Sequence, residues 1–178
     1  VTTGDGALLD VTTPYAAISD DGRYRYTLGR RWEPAEGPGS AVFVMLNPST
    51  ADAHQDDPTI RRCIGFAKRI GSGGIHVVNL YAYRATKPAD LWRADDPIGP
   101  ENDEILRAAF AAADRLQQPV IAAWGANAEP RRVEFVRVIA RAAGVRLQAL
   151  GVTKDGAPRH PLYLRADAPL TPWGADRG

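Results

Sequence analysis

Ala41-Val42-Phe43-Val44-Met45-Leu46 is an unbroken apolar run that stops at Asn47-Pro48. Its length and continuity read as a β-strand buried on both faces, as in a parallel sheet. Segments of the same kind return at 75–80 (IHVVNL), 119–124 (PVIAAW) and 145–150 (VRLQAL). Between them lie helical patterns. Pro58-Thr59 opens a helix over 60–70 with Ile60, Cys63, Ile64 and Ala67 on one face, and the glycines of 71–74 end it. Glu101-Asn102-Asp103-Glu104 starts a second helix, running to about Leu116, with acids at its positive end. Pro130 starts a third, carrying Val133, Val136, Ile139, Ala140 and Ala143 as far as Gly144. This alternation predicts a three-layer α/β/α domain with a four-stranded, mainly parallel sheet. Upstream, Asp21-Gly22 separates two β-favouring stretches and predicts a β-hairpin appended at a sheet edge.

The 178 residues amount to one domain, with flexible tails expected at 1–14 and 166–178. Lys+Arg is 22 and Asp+Glu is 21. Dedicated DNA-binding domains usually carry a larger basic excess, so a nucleic-acid partner would need a local basic patch. Cys63 is the one cysteine; it permits no internal disulfide and suits a reducing cytoplasm. No apolar run approaches the ~18–20 residues of a membrane span, and the N-terminal residues lack the features of a signal peptide. A cytoplasmic protein with no membrane partner is therefore expected.

Right-handed crossovers bring the C-terminal ends of parallel strands to one edge, where open α/β sheets bind ligands. The polar residues after each strand are the candidates. The first strand is followed by Asn47, Pro48, Ser49, Thr50 and Asp52. The second ends in Asn79 and leads to Tyr81, Tyr83 and Arg84. Trp124, Gly125 and Asn127 follow the third; Arg159 and His160 come after the fourth, beyond a hairpin. The chain has no G-x-S-x-G, Walker phosphate loop, G-x-G-x-x-G or C-x-x-C, which argues against a serine hydrolase, a nucleotide triphosphatase and a nicotinamide-dependent dehydrogenase. No cofactor and no metal are expected.

The strings MLNPSTAD, DDPTIRRC, VVNLYAYRAT, IGPENDE, AWG and HPLYL, spread over 15–164, resemble a bacterial and phage domain family of unknown function. A more distant resemblance is to the uracil-DNA glycosylase superfamily. It rests on Leu46-Asn47-Pro48, Val77-Val78-Asn79-Leu80, Trp124-Gly125-Ala126-Asn127-Ala128 and His160-Pro161, four strings in the family's order. That resemblance implies a glycosylase-like fold and cleavage of an N-glycosidic bond in a modified or deaminated nucleotide. By it, Asn47 positions water, Asn79 reads the base, His160 stabilises the departing anion and Trp124-Gly125 mark the fold. The sequence departs from the family at Ser49-Thr50, where Gly or Tyr is usual. It departs again at Leu162-Tyr163, where the Ser that pinches the DNA backbone is missing. A small nucleotide-like ligand is thus more in keeping with the chain than long duplex DNA.

Each candidate also has a plain structural role to set beside the functional one. Asn47 before Pro can simply cap a turn, Asn79 can bond a neighbouring loop, and His160 can be a surface histidine. Asp52, His54, Asp56 and Asp57 offer metal ligands or, at Asp57, a general base; Asp57 is equally a helix cap. Arg61 and Arg62 in a first helical turn, and Arg84, suit phosphate or surface ion pairs. Tyr81 and Tyr83 can stack a base or face the core. A non-catalytic nucleotide or nucleic-acid binding module, or a small-molecule enzyme of another class, remains compatible with the same fold.

Overall fold

Strand β1 (Tyr15–Ile18) and strand β2 (Arg25–Arg31) pair antiparallel across the expected turn. Gly22 there has φ 72°, a conformation glycine adopts without steric cost. The computed structural model describes residues 14–34 and 37–174. After the hairpin come β3 (Ser40–Met45), helix α1 (Pro58–Arg69), β4 (Gly74–Asn79), a short helix α2 (Pro88–Leu91) and α3 (Asn102–Arg115). They are followed by β5 (Val120–Ala122), α4 (Pro130–Ala142), β6 (Leu147–Ala149), a 3-10 turn at Pro161–Tyr163 and β7 (Thr171–Pro172). The three long helices begin and end within about two residues of the positions read from proline, acid and glycine signals.

The sheet has seven strands, in the order β1-β2-β4-β3-β5-β6-β7, where the sequence predicts four. The four expected strands form its parallel centre, β4-β3-β5-β6. The hairpin is more than an appendage, because β2 hydrogen-bonds along β4 from Leu28↔Val77 to Arg31↔Gly74. β7 adds an antiparallel edge on β6; two residues, one of them proline, carry no periodic signal. Residues 166–174, expected within a flexible tail, are packed: Ala168 is buried, Leu170 joins the α1-side core and Trp173 meets Trp124 ring to ring at 5.0 Å. The rest of the expected tails, 1–13 and 175–178, lies outside the described residues.

Two cores sandwich the sheet, and β3 alternates between them. Val42 and Val44 face Leu106, Phe110 and Val136 of α3 and α4. Ala41, Phe43 and Met45 face Ile60, Cys63 and Phe66 of α1. Burying each large apolar side chain stabilises the fold by about 1.5–3 kcal/mol. The chain leaves β3 for α1 and β4 on one side, then returns across it to β5 on the other. The loops after β3 and β5 therefore part toward opposite faces, opening a crevice at the strand ends.

Candidate functional site

That crevice holds a cavity of about 610 Å³. Asn47, Ser49 and Asp57 reach it from the β3–α1 loop, Asn79 from the end of β4, and Trp124 and Gly125 from the end of β5. His160 closes it from the loop before the 3-10 turn. Pro48, Thr50, Asp52, Arg61, Arg62, Tyr81 and Arg84, expected to bind ligand, do not line it.

Asn47 is pinned through its nitrogen: Nδ2 donates to Ala85 O at 2.8 Å and to Pro48 O at 3.0 Å. Ala85 N–H returns a bond to Pro48 O at 3.1 Å, locking the turn. Among the described residues Asn47 Oδ1 accepts no hydrogen bond, so an acceptor is left over. Asn79 is fully buried. Its Nδ2 reaches Arg25 O only at 3.5 Å, and its Oδ1 has no partner. A buried amide in that condition is costly, by about 1–3 kcal/mol per orphaned group.

His160 accepts the Leu162 N–H at Nδ1, 3.3 Å away, which leaves its ring proton on Nε2 as a donor. Burial lowers its pKa, and the nearby Asp57 charge offsets this in part, so the ring is neutral at pH 7. Arg62 holds this loop from α1, donating through Nε to Pro161 O at 3.4 Å and through Nη2 to Leu164 O. Gly125 passes close by: its φ is 79°, and a Cβ there would lie 3.7 Å from that of His160.

Asp57 Oδ1 accepts Ile60 N–H at 2.8 Å and caps α1. Asp52 serves its own loop, accepting from the N–H groups of His54 and Gln55; those bonds hold its carboxyl below the usual range. Asp56 pairs with Arg30 at 2.8 Å. Among the described residues, no three His, Cys, Asp or Glu side chains gather to hold a metal ion. Arg61 Nη1 donates to Asp56 O, Arg84 Nη1 donates to Gly22 O, and Tyr81 sits in the α3-side core with its ring against Trp92.

Asn127 and Arg159, which the sequence places after strands, also line the cavity. Arg25, Thr59 and Thr153 line it without having been singled out in the sequence; Thr59 sits beside the helix cap. Arg25 lies in the second β-favouring stretch of the hairpin, where no site was expected, and is 3% exposed.

The family described as "Protein of unknown function (DUF1643)" matches residues 25–162. The chain belongs to DUF1643. Arg25, Asn47, Asp57, Asn79, Trp124 and His160 all fall within the DUF1643 span, whose first residue is Arg25 itself. No curated protein and no solved structure matches the chain.

Proposed function

We propose that the cavity binds a nucleobase-bearing ligand and hydrolyses its N-glycosidic bond, on a fold of uracil-DNA glycosylase type. The observation that carries this reading is the convergence of Asn47 and His160, from two separate loops, and Asn79, from the end of β4, on one cavity. Each brings the kind of atom the reaction needs. Asn79 meets the base edge with a donor and an acceptor on one side chain. Asn47 Oδ1 accepts a hydrogen bond from water and so orients it toward the anomeric carbon. His160 Nε2–H donates to the oxygen or nitrogen on which negative charge develops.

The carbon–nitrogen bond breaks with its electron pair going to the base. Water adds to the anomeric carbon, and its proton passes to the Asp57 carboxylate, of which only Oδ1 is used by the helix cap. Arg159, exposed at the rim, takes the phosphate contact that the sequence assigned to Arg61, Arg62 and Arg84. Incubation with modified-base oligonucleotides and free nucleosides, scored for released base, tests this. Asn47→Ala and His160→Ala are each expected to lose about 10²-fold or more; full activity in both contradicts the assignment.

A non-catalytic nucleotide-binding module is the second reading. The partial use of Asp57 as a helix cap favours it, because no carboxylate in the cavity is free of structural duty. Salt-dependent binding of single-stranded DNA without base release would support that alternative.

A further inference from the structure

Arg25 belongs to none of the strings that carry the glycosylase resemblance, yet it lies beside Asn79 in the buried part of the cavity. A β-bulge turns it there. Ala17 faces Thr27 but Ile18 faces Arg25, one step on β1 against two on β2, so Tyr26 is an extra residue. Before the bulge is undone along β2, Leu28 joins the α1-side core. Tyr24 and Tyr26 pack instead with Ala82 and Ile105 on the other side. Arg25, between the two tyrosines, therefore points toward the α1 side, where its Nη1 donates to Ala51 O. Bulges commonly re-aim a side chain next to a functional site.

The guanidinium has little else to hold. Arg30, five residues on, pairs with Asp56; Arg25 pairs with no carboxylate among the described residues, and its Nε has no partner. Burying a cation is unfavourable unless acceptors surround it. Asn79 Oδ1, an acceptor, is orphaned in the same cavity. One buried donor and one buried acceptor thus stand unpaired together.

We propose that Arg25 and Asn79 together form the recognition pair for a lactam edge, the adjacent C=O and N–H of an oxo-substituted heterocycle. Arg25 Nε–H donates to the ring carbonyl and Asn79 Oδ1 accepts the ring N–H. A charged donor favours a carbonyl oxygen over the neutral ring nitrogen of an amino-substituted base. The inference rests on the nucleobase reading above and adds to it the residue that selects oxo over amino rings.

1-Methyluracil and 9-methylhypoxanthine as lactam probes, and 1-methylcytosine and 9-methyladenine as amino probes without a ring N–H, titrated into the full chain, test it. Binding is read by calorimetry and by the Arg25 Nε–Hε resonance in ¹⁵N spectra. The wild type is expected to bind the lactams at least tenfold more tightly, with a shift of that resonance. Arg25→Lys, which keeps the charge but lacks Nε, is expected to lose that preference. Equal binding of both classes, or an Nε–Hε resonance unmoved at saturation, overturns the proposal while leaving a nucleobase site in place. Binding of none of the four bases overturns it and the nucleobase reading together. The resonance is read on wild-type protein, so the test holds even if Arg25→Lys does not fold.

Discussion

Asn79 carries its polar group at a position where an apolar residue would satisfy the fold better. Its Oδ1 is orphaned and its one hydrogen bond is long. Replacing such a group by an apolar one of similar size is near neutral or stabilising. Asn79→Leu is therefore expected to leave the melting temperature unchanged or raised while eliminating ligand binding, measured by thermal unfolding and calorimetry. A large loss of stability would mean that Asn79 serves the fold. Cys63 is the opposite case. It is wholly buried on α1, and burial pushes its thiol pKa far up. The thiolate is the reactive form, so Cys63 is expected to resist thiol reagents in native protein and to react once in denaturant.

Helix α1 and the sheet edge explain how single side chains are held in place. Asp57 caps the start of α1. Arg62 and Arg69, two turns apart on that helix, donate to Pro161, Leu164 and Ala168 carbonyls and lie over the Phe66 ring. The His160 loop is thereby stapled to α1. Arg62→Ala is expected to cost about 1.5 kcal/mol and to raise hydrogen exchange at 162–164 before the rest of the chain. Unchanged protection there would contradict the staple. At the edge, Tyr15, Gly29 and His76 lie in register across β1, β2 and β4. The Tyr15 ring crosses Gly29, where a Cβ would come within 2.0 Å of it, and its hydroxyl bonds His76 Nδ1 at 2.5 Å. Burial depresses the His76 pKa from 6.5 to about 4. The unfolded chain then binds the extra proton between those values. Stability is full above pH 6.5 and falls as pH drops toward 4. His76→Gln is expected to flatten that part of the pH–stability curve, measured by denaturant unfolding.

At the scale of the whole molecule, the parallel centre and its three long helices were legible because buried strands are continuous apolar runs and their helices carry proline, acid and glycine punctuation. The edges were not. β7 is too short to show a period, and its place depends on Trp173 finding Trp124 across the sheet end. Trp173→Ala is expected to lower stability by about 2–4 kcal/mol and to alter Trp124 fluorescence, since the two rings meet edge to face. The strand-end rule located Asn47, Asn79, Trp124 and His160, because it depends only on strand direction. Arg25 escaped it, since it begins an antiparallel strand and does not follow a parallel one. Arg62 reads in the sequence as a phosphate ligand or a surface ion pair and not as a brace, because its carbonyl partners lie about a hundred residues along the chain. These strand ends, on the proposed function, assemble a site for hydrolysis at a sugar carbon. Base release carried out in ¹⁸O-labelled water tests this most directly. The heavy oxygen is expected on the anomeric carbon of the sugar and none on the freed base. Label on the base, or substrates recovered intact, would contradict it.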